Sequence, residues 1–112
     1  MPKLYFKYGA MNSSKSANAL MVKFNYEEQG YRVALLKPSL DDRDGVDIVK
    51  SRIGLEQKCY VIDRTVNLLE WYRAHRDYQV MIVDEAQFLT PEQGEQLKDL
   101  AVDAIPVLCF GL

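Results

Sequence analysis

Eight residues near the N-terminus, Gly9-Ala10-Met11-Asn12-Ser13-Ser14-Lys15-Ser16, limit the folds open to this chain more than any other stretch. They match the phosphate-binding pattern G-x-x-x-x-G-K-[ST] at every fixed position but one, where Ser14 replaces the second glycine. Before them, Lys3 to Tyr8 alternates apolar and polar positions as a strand does. After them, Ala17 to Gln29 reads as a helix with Ala17, Leu20, Met21 and Phe24 on one apolar stripe. A strand, a tight loop and a helix in that order aim backbone N–H groups and a helix N-terminus at one point, which attracts an anion such as a triphosphate. Lys15 then reaches the outer phosphates, and the Ser16 hydroxyl holds a magnesium ion. Without that context, the same letters would describe only a serine-rich turn.

Gly30 ends the helix, and Tyr31 to Lys37 forms a second strand stopped by Pro38. The two strands should therefore be parallel, joined by a right-handed crossover. Residues 39–54 are polar and charged and read as a long loop carrying Asp41, Asp42, Arg43, Asp44 and Arg52. Gln57 to Ile62 is a short strand, followed by a helix capped by Asp63 or Thr65 with Val66, Leu68, Leu69 and Tyr72 facing inward. Trp71 in that helix is assigned to packing. His75, the only histidine, stands beside Arg73 and Arg76 at the polar end and receives no role.

Gln79 to Val83 is apolar throughout, as for a central strand buried on both faces, and it delivers Asp84 and Glu85 at its C-terminal end. Thr90-Pro91-Glu92-Gln93 has the order of a helix start: N-cap threonine, proline at the first position, glutamine three residues on. That helix runs to about Asp103, with Leu97, Leu100 and Ala101 inward, and Ile105 to Phe110 is a last buried strand. The fold class predicted is α/β: one domain over residues 1–112, a mostly parallel sheet flanked by helices in the manner of P-loop nucleotide-binding proteins.

Ligands of such sheets bind at the carboxyl edge, where the ends of the first strand and of the 79–83 strand meet. Asp84 after an apolar run is placed to hold Mg²⁺ together with Ser16, directly or through water. Glu85 beside it is placed to accept a proton from an attacking hydroxyl or water. An Asp-Glu pair alone is compatible with a plain strand end in water. Joined to the phosphate loop it points to a nucleoside triphosphate.

The remaining composition excludes other classes. At 112 residues, 48% hydrophobic, 27% charged and net charge −2, the chain lacks the basic excess of a nucleic-acid-binding surface. No apolar run reaches the roughly 20 residues that span a membrane, and the N-terminus shows no signal pattern. Cys59 and Cys109 stand in apolar runs without a neighbouring Cys or His, and read as buried free thiols of a cytoplasmic protein rather than a disulfide or metal pair.

The motifs also resemble a family. Tyr5-Phe6, Gly9 to Ser16, Asn25-Tyr26-Glu27-Glu28-Gln29-Gly30, Asp42-Arg43, Ser51-Arg52-Ile53-Gly54, Asp84-Glu85-Ala86-Gln87-Phe88-Leu89 and Ile105 to Leu112 resemble the N-terminal part of bacterial thymidine kinases of the tetrameric, zinc-containing type. The resemblance covers the whole chain in order. It implies transfer of the ATP γ-phosphate to the 5′-hydroxyl of thymidine, with Mg²⁺ as cofactor. Gly9, Ala10, Met11, Asn12, Ser13, Ser14, Lys15 and Ser16 would bind the ATP phosphates, and Asp84, Glu85, Ala86 and Gln87 would line the same site. Glu85 would be the general base. Arg43 and Arg52 would help neutralise phosphate, and Met11 would pack near the thymine. A homotetramer is implied, with ATP and thymidine as the partners and neither nucleic acid nor membrane.

Two departures qualify the resemblance. Family members continue past Leu112 into a four-cysteine zinc site and a loop around the thymidine base, both lacking here, so MgATP binding with poor thymidine phosphorylation is expected of these residues alone. Two alternatives remain: a nucleotide-binding remnant without turnover, and a helicase- or RecA-like ATPase, since Asp84-Glu85-Ala86-Gln87 resembles a helicase box. Nucleic-acid-stimulated hydrolysis marks the motor, and thymidine-dependent ADP release marks the kinase. The second departure is Ser14, where a side chain opposes close approach of the loop to phosphate. Ser14→Gly is expected to tighten ATP binding by ~1–2 kcal/mol if the loop strains; equal affinity by calorimetry means that the loop accommodates the serine.

Overall fold

The structure is a computed structural model; it describes residues 4–8, 15–39, 45–50 and 56–111, and for 6–8, 15–17, 45–50 and 56 it describes the backbone. Strands β1 (Leu4–Tyr8), β2 (Val33–Pro38), β3 (Gly45–Lys50), β4 (Glu56–Ile62), β5 (Val80–Val83) and β6 (Val107–Gly111) form one sheet in the order β1-β6-β5-β2-β4-β3. Every neighbouring pair is parallel except β3 with β4. This is the predicted α/β architecture, with an antiparallel edge strand added.

That edge strand corrects the long loop expected over residues 39–54. Gly45–Lys50 pairs with β4 from Gly45↔Val61 to Lys50↔Glu56. The sequence Gly-Val-Asp-Ile-Val-Lys carries the β-branched residues a strand favours. Its charges hid this, yet an edge strand has one unpaired side and is where charged residues belong. Arg43 and Arg52 fall outside the described residues.

Helix α1 (Lys15–Glu28) crosses one face of the sheet. Ala19 and Leu20 are wholly buried there against Val33, Leu35, Cys59, Val80, Ile82 and Phe110. Met21, expected on the inward stripe, is instead 50% exposed. The stripe is centred on Ala19, Leu20 and Lys23, and Met21 turns past it. Lys23 takes the inward place because its ammonium donates to Glu27 Oε2 at 2.8 Å and Gln57 Oε1 at 3.0 Å. The helix stops as the sequence predicts, at Gly30 (φ 93°). Gly30 N–H donates to Glu27 O and Tyr31 N–H to Tyr26 O, at 3.0 and 3.1 Å, and the Tyr26 and Tyr31 rings meet edge to face. This is the Schellman arrangement with its apolar contact.

Helices α2 (Leu68–Arg73) and α3 (Pro91–Asp103) cover the other face, where Leu68, Leu97, Leu100 and Ala101 pack on Ala34, Leu36, Met81, Val83, Val107 and Cys109. The α2 cap differs from both residues expected. Asn67 accepts from Leu69 N and Glu70 N at 2.9 and 3.1 Å, while Asp63 closes a turn on Thr65 N at 2.7 Å. That turn holds the Asp63 carboxyl below its ordinary value, chiefly through the hydrogen bonds from Thr65. α3 begins with the predicted capping box: Thr90 and Gln93 exchange side-chain and backbone bonds at 3.1 Å each way. Buried Gln93 also donates to Asp63 O and Val66 O, tying α3 to the segment before α2.

Two stability predictions follow from this packing. Gly94 lies inside α3, and a Cβ built on it meets nothing within 4 Å. Gly94→Ala should therefore raise the unfolding free energy by about 0.5–1 kcal/mol in urea titration, by removing backbone freedom from the unfolded chain. The second concerns alkaline pH. Burial pushes the Cys109 thiol from 9.0 up to about 12. Burial, with the Tyr60 hydroxyl alongside, pushes Tyr78 from 10.0 up to about 12. Both groups ionise first in the unfolded chain, which then binds fewer protons, so stability falls as pH rises from about 9 to about 12. Urea midpoints measured across that range should decline, and Cys109→Ala should flatten the lower part of the decline.

Candidate active site

β6 lies between β1 and β5, and the register brings their carboxyl ends together. Tyr8 at the end of β1 pairs with Gly111, and Val83 at the end of β5 pairs with Cys109. α1 starts at Lys15, a short segment after β1, and runs back over the sheet to β2. The parallel connection puts its N-terminus at this same edge. Lys15 and Ser16 thus open the helix, two residues before the Ala17 start expected from the sequence. Gly9, Ala10, Met11, Asn12, Ser13 and Ser14 lie outside the described residues.

From β5 the chain delivers two carboxylates into different surroundings. The Asp84 N–H still donates to Leu36 O of β2 at 2.9 Å, so Asp84 extends the sheet and is buried, at 2% exposure. Its Oδ1 accepts the Glu85 N–H at 3.0 Å. Glu85 is half-buried and has left-handed backbone angles, φ 55° and ψ 41°, the only positive φ outside glycine among the described residues. Such a conformation costs a residue with a side chain on the order of 1 kcal/mol. Here it turns the chain abruptly out of the strand. A single 3₁₀ turn, Ala86–Phe88, follows, closed by Phe88 N–H to Glu85 O and Leu89 N–H to Ala86 O, both at 3.1 Å. Ala86 is buried against Gly111, and Gln87 lies beside it.

The site residues predicted from sequence therefore divide in two. Asp84, Glu85, Ala86 and Gln87 form one turn at the carboxyl edge, and the backbone of Lys15 and Ser16 starts α1 at that edge. Arg43, Arg52 and the loop before Lys15 are outside the described residues. The sequence reading gave Gly111 no role, although a glycine ending a buried strand often marks a close backbone approach.

The opposite edge of the sheet has a different character. A cavity of about 550 Å³ opens there, lined by Lys23, Arg32, Gln57, Lys58, Tyr60 and Tyr78 among others. Beside it, Trp71 packs as expected: its ring stacks on His75 with centroids 3.9 Å apart, and Tyr60 meets it edge to face at 5.0 Å. His75 Nδ1–H donates to Trp71 O at 2.7 Å, a structural bond. Cys59 and Cys109 are buried on opposite faces of the sheet and are not joined to each other as a disulfide or a metal pair. Among the described residues no group of three or more His, Cys, Asp or Glu is gathered to hold a metal, and no helix is long and apolar enough to cross a membrane.

The sequence profile of the family described as thymidine kinase matches residues 2–112. The chain belongs to the thymidine kinase family. It is 43% identical over 113 residues to the thymidine kinase of Chromobacterium violaceum, covering all of this chain and 60% of that protein. Identity is 44% over 117 residues to the enzyme of Enterobacteria phage T4, again all of this chain and 60% of the relative. With the thymidine kinase of Streptococcus thermophilus it is 46% over 115 residues, all of this chain and 58% of that protein. The chain thus spans about 60% of the length of the thymidine kinases it matches. Membership in the family leaves the helicase-like reading without support, because the Asp84-Glu85-Ala86-Gln87 run is accounted for within a thymidine kinase sequence.

Proposed function

We propose that this chain provides the ATP-binding and proton-accepting part of a thymidine kinase, which transfers the γ-phosphate of ATP to the 5′-hydroxyl of thymidine. The observation that carries the reading is the turn at the end of β5, where buried Asp84 and half-buried Glu85 follow one another at the edge from which α1 departs. Gly9 to Ser14 wrap the phosphates with backbone N–H groups, and Lys15 opposes their charge. Glu85 accepts the proton of the 5′-hydroxyl as its oxygen bonds to the γ-phosphorus and the bond to the ADP oxygen breaks. Ala86 and Gln87 border the same site. Arg43 and Arg52 contribute positive charge toward the phosphates, and Met11 packs near the thymine.

Magnesium suits the donor set, since a buried carboxylate and a helix-opening serine are the hard oxygen ligands that this ion takes. Asp84 and Ser16 would hold it, and it would supply charge neutralisation across the phosphates. The zinc that the resemblance implies would belong to a part of the longer relatives beyond this stretch. Two buried cysteines without a disulfide favour a reducing compartment, the cytoplasm. A homotetramer is the assembly expected.

The test is transfer of labelled γ-phosphate from MgATP to thymidine, with and without Glu85→Gln. The substitution keeps shape and removes the base, so kcat should fall by about 10²–10⁴ while MgATP binding by calorimetry stays near that of the unaltered protein. Unchanged turnover in Glu85→Gln would remove Glu85 from the base role. MgATP binding without a phosphorylated nucleoside would favour a binding remnant.

A further inference from the structure

We infer that Gly111 is a positioning residue: its bare Cα is the seat on which the Ala86–Gln87 turn rests, and it thereby fixes Glu85 at the sheet edge. The inference builds on the proposed role of Glu85. Gly111 does not have a positive φ, since Gly30 is the one described glycine that does, so space rather than backbone conformation demands glycine here. A Cβ built on Gly111 would collide with Gln87 Oε1 and approach the backbone nitrogens of Ala86 and Gln87 to 3.3 Å each. An amide end can swing aside. The two nitrogens cannot do so cheaply, because Ala86 is buried and the turn is closed by the Phe88 and Leu89 N–H bonds.

The other side of the contact is equally fixed. Gly111 pairs with Tyr8, and the preceding Phe110 and Cys109 are buried. An added methyl group must therefore be taken up by the turn, whose first residue is Glu85 in its left-handed conformation. In sheet order Gly111 also lies between the end of β1, which feeds the phosphate loop, and the end of β5, which feeds Glu85. It is thus the floor between the two halves of the proposed site.

The experiment is Gly111→Ala, followed by amide resonances in ¹⁵N-labelled protein and by steady-state kinetics. The amides of Glu85, Ala86 and Gln87 should shift while the rest of the sheet keeps its resonances. Turnover should drop by about 10-fold or more, as small displacements of a reacting group do, with the KM for ATP nearly unchanged. Resonances that stay in place, shifts spread evenly through the sheet, or shifted resonances with full turnover each overturn the inference. If the unaltered protein transfers no phosphate to thymidine, the proposed reaction fails, and the amide shifts alone decide the role of Gly111. Should Gly111→Ala not fold, Gln87→Ala probes the contact from the other side with β6 intact: the Glu85 and Ala86 amides move, or the inference is withdrawn.

Discussion

β6 is hydrogen-bonded on both sides, to β1 from Leu4↔Val107 to Tyr8↔Gly111 and to β5 from Met81↔Val107 to Val83↔Cys109. A one-residue slip in either ladder would exchange the two faces of a strand whose Val107 and Cys109 face α3 and whose Phe110 faces α1. Both faces are buried, so each slip would carry a full set of side chains into the wrong layer. The register is therefore fixed by packing. With it is fixed the relative height of two strand ends, Tyr8 of β1 and Val83 of β5, the second leading directly into Asp84 and Glu85. The chemistry proposed for this edge depends on that alignment more than on any single contact within the site.

The layers differ in what they bury. The face under α3 is closed by aliphatic residues and by Gln93, whose amide holds the helix start and the 63–66 segment together. The face under α1 admits Lys23, whose ammonium is matched by Glu27 and Gln57. A buried ammonium without such partners would cost several kcal/mol. With them it links α1 to the start of β4, so the C-terminal half of α1 is tied to the sheet.

Much of this was legible in sequence where one local rule acted alone. The Schellman end at Gly30 and the Thr90–Gln93 capping box are written in residues a few positions apart, and the apolar runs of β5 and β6 announce strands buried on both faces. Legibility failed where two rules competed. Asp63, Thr65 and Asn67 are all good caps, and only the tertiary path selects Asn67 for the helix and Asp63 for the turn before it. Residues 45–50 carry a strand pattern masked by charge, and only the presence of β4 alongside makes them an edge. The left-handed angles of Glu85 were not legible at all, since glutamate has no preference for them; they are imposed by the turn that follows.

That imposed turn explains why two adjacent carboxylates can do different work. In a continuing strand Glu85 would point opposite to Asp84, one face of the sheet each. The left-handed step ends the strand instead, leaving Asp84 as the last residue bonded into the sheet and Glu85 as the first residue outside it. A carboxylate as buried as Asp84 must be met by hydrogen bonds or a cation, and the Glu85 N–H meets part of that demand at 3.0 Å. Glu85 keeps partial access to solvent. The difference in burial places a carboxylate bonded into the sheet and a partly exposed one within two residues of each other, the contrast on which the two proposed roles rest. It also explains the demand for glycine at position 111, because the turn that produces the difference needs the space a side chain there would fill.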